Sequence, residues 1–206
     1  MRSKLEPISL RLGEVLCEAG ADTAYVYFPN DSLISLLAVA GAKPLEVGMV
    51  GREGMVGFSL ALGVGKSPAR ALVQGSGTAM RMSAAAFRAE LKRNRRLFVS
   101  AGRCAHAAMV TAMQLAACNN SHRLAQRFAR WLLMTGDCIG ADTFFLTQEF
   151  LAQMLGVRRT GVTEAASDLQ ARGLISYRRG AITILKRAEL AAVACGCYAA
   201  IRRLPR

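Results

Sequence analysis

The fold of this chain is decided by residues 146–185, which read LTQEFLAQMLGVRRTGVTEAASDLQARGLISYRRGAITIL. Thr147 is a residue type that caps helices, and the apolar spacing after it predicts a helix over residues 148–155. Gly156 interrupts this pattern, and a second helix is predicted over residues 158–172. Its apolar face is formed by Val162, Ala166 and Leu169. Two helices joined by a tight glycine turn are the pattern of a helix-turn-helix.

The residues after the second helix predict a two-stranded hairpin. Residues 174–177 and 181–185 are strand-like apolar runs, and the turn between them, Arg178-Arg179-Gly180, has a basic tip. A helix pair with a glycine turn is common in all-α proteins. Helix, turn, helix and hairpin in this order are much more specific, and they predict a winged helix.

Arg158 and Arg159 stand in the first turn of the predicted second helix, where the helix dipole disfavours cations. In a helix-turn-helix this end of the second helix enters the major groove of DNA. Phosphates and the acceptor atoms of guanine both suit arginine there. We therefore expect this helix end to meet an anion, and DNA supplies one.

The charge of the chain is unevenly distributed. The net charge is +13, yet residues 1–87 carry eight Lys/Arg against seven Asp/Glu. Residues 88–139 carry nine against two, and residues 140–206 carry ten against five. A near-neutral part joined to a basic part indicates one region that senses and one that contacts a polyanion, although a solvated basic surface would give the same composition.

The N-terminal part, from residue 10 to about residue 82, consists of short apolar runs separated by Gly, Pro, Asn and Asp. This pattern predicts an antiparallel β barrel, roll or sandwich. Past Ser83 the period becomes helical, with a short helix over residues 84–92. Asn119 or Ser121 can cap a further helix over residues 123–135, and Gly136 and Gly140 then mark a junction. The fold class is therefore α+β.

A long Ala-rich helix is predicted over residues 96–117, with two adjacent apolar stripes. One stripe can face the helix's own domain and the other a partner helix, whereas a single buried helix is the alternative. We assign the partner stripe to six positions: Leu97, Ala101, Cys104, Ala108, Thr111 and Leu115.

With these residues in view, the chain resembles the Crp/Fnr family of bacterial transcription regulators over nearly its whole length. The resemblance implies an antiparallel β-roll sensor-like domain (1–95), a long dimerisation helix (96–118) and a winged helix-turn-helix DNA-binding domain (119–206). It also implies a homodimer whose recognition helices read a palindromic site.

The resemblance further implies which residues contact DNA. Arg159 and Thr160 would face bases, with Thr163 and Glu164 nearby, while Gln148 and the wing arginines would meet the backbone. The predicted DNA-binding set is Gln148, Arg158, Arg159, Thr160, Thr163, Glu164, Tyr177, Arg178 and Arg179. Family members often have Ser at position 158 and Glu at position 160, so the target sequence does not carry over.

The sensor residues of the cyclic-nucleotide-binding members are missing from the roll. Those members hold ribose and phosphate with a Gly-Glu pair and an Arg-Ser/Thr pair. Here Phe58 stands in place of the Glu, and Ala69-Arg70-Ala71 in place of the second pair. We therefore predict no cofactor and no cyclic nucleotide, and the effector is unknown.

Other motifs point to no second chemistry. Gly65-Lys66-Ser67 lacks the first glycine of a phosphate-binding loop, because Leu60 stands there. A metal or redox role for Cys195 and Cys197 with Cys138 lacks zinc spacing, and haem ligation by His106 lacks supporting residues, so no metal is expected. Only Cys17 lies near the N-terminus, which argues against an iron–sulfur sensor.

The sequence therefore predicts a DNA-binding transcription regulator rather than an enzyme, since no catalytic constellation is present. Its expected partners are double-stranded DNA and a second copy of the chain, with RNA polymerase as a further candidate. Its longest apolar run is too short to span a bilayer and residues 1–10 lack the apolar core of a signal peptide, so we expect a cytoplasmic location. The alternative is a winged-helix adaptor that binds protein and has a redox- or ligand-responsive sensor.

Overall fold

The computed structural model describes residues 2–40 and 43–204. Its N-terminal part contains seven strands in two antiparallel sheets, a four-stranded one in the order β2-β6-β4-β5 and a three-stranded one in the order β1-β7-β3. The strands are β1 (Glu6–Leu10), β2 (Val15–Cys17), β3 (Tyr25–Pro29), β4 (Leu33–Ala40), β5 (Lys43–Val50), β6 (Arg70–Gly75) and β7 (Gly77–Ser83). The predicted antiparallel β-roll is confirmed.

Strand β4 is the centre of the larger sheet. It pairs with β5 on one edge and β6 on the other. Leu33, Ile34 and Leu37 are 0% exposed because both faces of this strand are covered. This explains why its sequence is a continuous apolar run rather than an alternating one.

Two helices follow the roll, as the change of period predicted. Helix α1 covers Ala84–Arg93, and the Ser83 side chain accepts a hydrogen bond from the Ala86 N–H at its start. Helix α2 covers Arg95–Ser121, a length of 27 residues or roughly 40 Å. It runs past residue 118, and the division of the chain into domains at 95/96 and 118/119 remains a prediction.

Helix α3 covers Leu124–Ile139 and differs from its prediction at both ends. Its N-cap residue is Arg123, not Asn119 or Ser121, because α2 continues through both of those residues. Gly136 does not end the helix. A Cβ there would lie 3.1 Å from an Arg187 guanidinium nitrogen, so Gly136 allows close packing, and Gly140, at φ 76°, forms the C-cap.

The winged helix contains two helices and a three-stranded sheet. Helix α4 covers Gln148–Leu155, and helix α5 covers Arg159–Ala171. Strands β9 (Ile175–Arg178) and β10 (Ala181–Ile184) form the predicted hairpin. The sequence did not reveal β8 (Thr143–Phe145), which pairs with β10 on its other edge.

Two short helices close the described chain, α6 (Arg187–Val193) and α7 (Cys197–Arg202). Arg187 anchors the first of them, because its guanidinium group forms ion pairs with Asp137 and Asp142. The Tyr198 hydroxyl donates a 2.8 Å hydrogen bond to Asp137, which anchors the second. Both helices therefore pack beside the end of α3.

The roll and the winged helix share one hydrophobic core. Leu33, Leu37 and Met49 of the roll belong to the same buried cluster as Phe128 and Leu151. The two parts of the chain are therefore in direct contact.

A polar contact also crosses this core. The indole N–H of Trp131 on α3 donates a 2.8 Å hydrogen bond to Oε1 of Glu46 on β5, and the Ser35 hydroxyl donates a 2.8 Å bond to Oε2. Burial raises the pKa of Glu46 to about 7, against the opposing effects of these two hydrogen bonds and of the Arg130 charge. This carboxyl group is therefore sensitive to pH near neutrality.

Among the described residues, no helix is both long and apolar enough to cross a membrane.

Candidate nucleic-acid interface

The helix-turn-helix is shaped by local signals that the sequence contains. The Thr147 side chain accepts a hydrogen bond of 3.1 Å from the Phe150 N–H and so caps α4. Gly156 ends this helix in the left-handed region, with φ 66°. A side chain at position 156 would also collide with Leu45, since a Cβ would lie 2.7 Å from its Cδ1. Gly156 therefore serves both the turn and the contact with the roll.

Helix α5 presents one buried and one exposed face. Val162, Ala166 and Leu169 are at most 2% exposed, as the sequence predicted. The other face is open to solvent along the first two turns. The predicted DNA-binding residues Arg158, Arg159, Thr160, Thr163 and Glu164 are all exposed there.

Gln148 is held against the recognition helix by one hydrogen bond. The Thr163 hydroxyl lies 2.8 Å from Gln148 Oε1 and 3.1 Å from the Arg159 carbonyl oxygen, and it donates its single proton between them. The amide hydrogens of Gln148 are not used in this contact. They remain available to an acceptor such as a phosphate oxygen.

The wing tip is a tight turn in which two successive residues have positive φ. Arg179 has φ 50° and Gly180 has φ 84°, the pattern of a type I′ hairpin turn. Arg179 is the one non-glycine residue with positive φ in the described chain. The turn leaves the side chains of Arg178 and Arg179 exposed at the tip.

Tyr177 joins the wing to the helices. Its hydroxyl donates a 2.7 Å hydrogen bond to the Leu146 carbonyl, and its backbone N–H donates a 2.7 Å bond to Gln170 Oε1. Burial raises the pKa of Tyr177, against the opposing charge of Arg159. Because the hydroxyl proton is engaged, Tyr177 holds the wing in position and presents mainly its ring to the groove.

One groove brings four of the nine predicted DNA-binding residues together. Its walls include Gln148, Arg159, Tyr177 and Arg179, which come from α4, α5 and the wing. Glu149 is the one acidic residue on its rim.

The arginines of this surface are not neutralised. Arg172 forms an ion pair with Asp168 farther along α5, at 3.5 Å. In contrast, within residues 2–40 and 43–204, no carboxylate forms an ion pair with Arg158, Arg159, Arg178 or Arg179. The surface is therefore positively charged and its donors are free for an anionic partner.

The six α2 positions assigned to the partner stripe are buried or half-buried within the chain itself, and the exposed apolar face of the helix is a different one. Ala101, Thr111 and Leu115 are at most 5% exposed and pack inside the chain, and Leu97 and Cys104 pack against the same core as Ala101. Ala108 is half-buried and lines a cavity between α2 and the roll. The outward face instead carries Phe98, Val99, Met109 and Met113, which are 41–63% exposed. The reason is that the roll covers the first stripe.

The roll offers little space for a ligand at the cavity beside α2. This cavity has a volume of about 40 Å³, and Met55, Phe58 and Val50 are among the residues that fill its wall. Arg70, the one cation in the segment that would hold a phosphate, forms an ion pair with Glu18, with its Nε 2.7 Å from Oε2. Ala69 and Ala71 beside it are buried.

One grouping of possible metal ligands was not predicted from the sequence. Cys195 and Cys197 do not approach Cys138, whose Sγ lies 3.5 Å from Glu53 Oε1. They meet Cys118 and His122 at the end of α2 instead. The spacing of Cys118 and His122, one helical turn apart, was the available signal.

Burial raises the pKa of the Cys118 thiol to about 12, against the opposing charge of Arg130. Burial likewise lowers the pKa of the neighbouring Arg127, against the opposing effect of Cys118.

Comparison with known proteins agrees with this geometry. Residues 126–193 match the family model described as the Crp-like helix-turn-helix domain. No curated protein sequence matches the chain. Solved structures match nearly its whole length, although at low identity.

Two of these structures illustrate the similarity. FixK2 from Bradyrhizobium japonicum has a TM-score of 0.79 and 13% identity, over 93% of this chain and 98% of that protein. The transcriptional regulator TTHA1359 of the CRP/FNR family, from Thermus thermophilus, has a TM-score of 0.73 and 21% identity, over 92% and 98%. At such identities the structures establish the fold.

The fold and the basic surface define a class of two-part proteins in which a β-roll and a long helix precede a winged helix. The family match narrows this class over residues 126–193, which match a Crp-like helix-turn-helix domain, and the whole chain has the fold of solved Crp/Fnr-type regulators. The resemblance found in residues 146–185 is confirmed.

Proposed function

We propose that the chain binds double-stranded DNA sequence-specifically as a homodimer, with α5 in the major groove and the wing beside the backbone. The observation that carries this proposal is the set of unpaired arginines at the start of α5 and at the wing tip. Exposed guanidinium groups without carboxylate partners match an array of phosphates and guanine edges.

The proposed DNA contacts of these residues follow from their positions on α5, α4 and the wing. Arg159 and Thr160 stand in the first turn of α5 and read bases, with Thr163 and Glu164 one turn later. Gln148, Arg178 and Arg179 lie at the edges and contact phosphates. Arg158, at the N-cap, contacts either a phosphate or a base edge. Tyr177 supports this surface from behind through its bond to Leu146.

The homodimer forms through the outward face of α2. Phe98, Val99, Met109 and Met113 form an exposed apolar stripe along one long helix. A large exposed apolar patch on a folded protein indicates an interface. A second copy of α2 is the partner that covers this stripe symmetrically.

The roll acts without a cyclic nucleotide. A cavity of about 40 Å³ is much smaller than the roughly 300–1,000 Å³ that ligand pockets occupy. Arg70 is already paired with Glu18, so it would have to break that ion pair to meet a phosphate.

A salt titration of binding to random duplex DNA tests the proposed function. A regulator of this kind binds random duplex weakly at low salt, and the logarithm of its binding constant falls linearly with the logarithm of the salt concentration. The control is Arg172→Ala, which removes an arginine that is already paired with Asp168. Absence of binding at low salt would favour the protein-binding adaptor instead.

A further inference from the structure

Three cysteines and one histidine come together where α2 ends and the C-terminal helices pack against it. Cys118 lies in the last turn of α2 and His122 is its C-cap residue, while Cys195 lies between α6 and α7 and Cys197 is the first residue of α7. The ligand atoms of all four residues lie within 4.8 Å of one another. The Cys118 and Cys195 Sγ atoms are 3.4 Å apart, and Cys197 Sγ is 3.7 Å from His122 Nδ1. We call this group the Cys3His cluster.

Two of these separations are close to those between ligand atoms of a tetrahedral zinc site. Zinc–sulfur bonds are about 2.3 Å and zinc–nitrogen bonds about 2.0–2.1 Å, so ligand atoms around one ion stand about 3.5–3.8 Å apart. The measured 3.4 Å and 3.7 Å lie close to these values. Three thiolates and one imidazole are also a ligand set that structural zinc sites use.

The cluster is closed to solvent on its sulfur side. Cys118 is 0% exposed, and Cys195 and Cys197 are each 4% exposed. A site with four protein ligands and no open position is structural rather than catalytic.

The surroundings supply both a hydrogen bond and compensating charge. The Gln114 side-chain amide donates a 3.1 Å hydrogen bond to Cys197 Sγ, as outer partners of metal ligands do. Arg127 and Arg130 are buried beside the sulfurs, at 8% and 3% exposure, and within the described chain neither Nε has a hydrogen-bond partner. Three thiolates around Zn²⁺ carry one net negative charge, which the nearby positive charge of Arg127 and Arg130 would stabilise.

We propose that Cys118, His122, Cys195 and Cys197 bind one Zn²⁺ ion. The three thiols release their protons to solvent on binding, and the histidine binds as neutral imidazole. The ion fastens the segment between α6 and α7 to the end of α2. Because α3 begins at Leu124, two residues after His122, the site also fixes the joint between the long helix and the winged helix.

The first test uses the full-length protein with metal alone. Protein purified without chelator should contain about one zinc per chain. After exchange, Co²⁺ should give the intense ligand-field bands of a tetrahedral site together with thiolate-to-cobalt charge-transfer absorption. Weak octahedral bands without charge transfer would overturn the proposal.

Matched variants identify the ligands. Cys195→Ser should lose the charge-transfer bands, whereas Cys17→Ser, which changes a cysteine outside the cluster, should keep them. Gln114→Ala should weaken the affinity about 10- to 100-fold while preserving the tetrahedral spectrum. A Cys195→Ser protein with an unchanged cobalt spectrum would contradict the assignment.

A further variant covers the case in which Cys195→Ser does not fold. His122→Cys supplies a fourth thiolate, so it should retain tetrahedral cobalt and strengthen the charge-transfer absorption. An unchanged spectrum would exclude His122 as a ligand. If mild oxidation in the presence of Zn²⁺ joins Cys118 to Cys195 as readily as in its absence, the cluster is a redox pair and the zinc proposal fails.

Discussion

Arg159 and Arg178 carry the same charge at two places with different chemistry. Arg159 lines the groove between α5 and the wing, at the end of the helix that points toward DNA bases in a helix-turn-helix. Arg178 stands at the exposed wing tip, beside that groove. The first position allows a two-point contact with guanine O6 and N7, and the second favours a phosphate.

Loss of Arg159 should therefore differ from loss of Arg178. Arg159→Ala should cost about 1–3 kcal/mol on the selected site and relax the preference at one base pair per half-site. Arg178→Ala should weaken binding to all duplexes similarly and reduce the salt slope by roughly one per subunit. Salt titrations on the selected site and on a scrambled duplex measure both effects. Equal weakening of both duplexes by Arg159→Ala would exclude its role in base reading.

Glu46 is the residue whose protonation links the roll to α3. The pKa of Glu46 is about 7 in the folded chain, against an ordinary value of 4.5 for the unfolded chain. Below pH 4.5 the carboxyl group is therefore neutral in both the folded and the unfolded chain. As pH rises from 4.5 to about 7 the unfolded chain ionises first, and stability falls across this window.

Replacing Glu46 should flatten this pH dependence. A shift from 4.5 to about 7 corresponds to roughly 3 kcal/mol. Glu46→Gln should remove most of the fall in the free energy of unfolding between pH 5 and pH 7.5. The exposed Glu164→Gln should leave that fall unchanged. Urea unfolding at fixed protein concentration measures the free energy of unfolding at each pH. A Glu46→Gln protein with the pH profile of the parent would show that another group dominates.

At the scale of single elements, α2 has two apolar faces that the roll makes unequal. The roll and α1 cover the face that contains Ala101, while Met109 and Met113 on the other face are 51% and 63% exposed. The helical period of the sequence predicted apolar faces on α2, but a period alone does not say which face a neighbouring sheet will cover.

A charge in the exposed stripe should separate the dimer. Met109→Glu would place two carboxylates near each other across the two-fold axis, where like charges cost several kcal/mol. Sedimentation should then show a monomer at micromolar concentration, whereas the exposed Ser100→Glu on another side of α2 should remain a dimer. If Met109→Glu still dimerises, the interface lies elsewhere.

Local signals explain what the sequence could predict. The Thr147 cap, the Gly156 turn and the period of α5 act within a few residues, so α4 and α5 were placed to within one residue. The strand β8 has only three residues and no turn signal, and it was missed.

The Cys3His cluster could not be predicted from local signals in the sequence. Cys118 and Cys195 are 77 positions apart in the chain, and the four residues meet only because α7 packs against the end of α2. No spacing rule encodes such a tertiary contact. The positions of the DNA-binding residues remain predictions, because they describe a complex rather than the free chain.

For the whole molecule, the residues of the roll predict that effectors of the cyclic-nucleotide type do not act. Cyclic AMP and cyclic GMP should give no binding heat at micromolar concentration, because the ribose and phosphate would lack partners at Phe58 and Ala69. Each unsatisfied buried polar group costs about 1–3 kcal/mol. Calorimetry on the full chain measures this. Micromolar binding of either nucleotide would contradict the account of the roll.

The shared core also packs the roll directly against the winged helix. Leu45 of the roll meets the turn at Gly156, two residues before Arg158. A change in the roll therefore has a direct path to the start of the recognition helix.

Selection of bound duplexes from a random pool, followed by sequencing, tests the central claim most directly. A homodimer places two copies of α5 about 34 Å apart, so the enriched site should be an inverted repeat with half-sites roughly one helical turn apart. The same selection with Arg159→Ala should lose the preference at one position in each half-site. A pool without enrichment, or a motif without two-fold symmetry, would contradict the assignment of this chain as a dimeric, sequence-reading regulator.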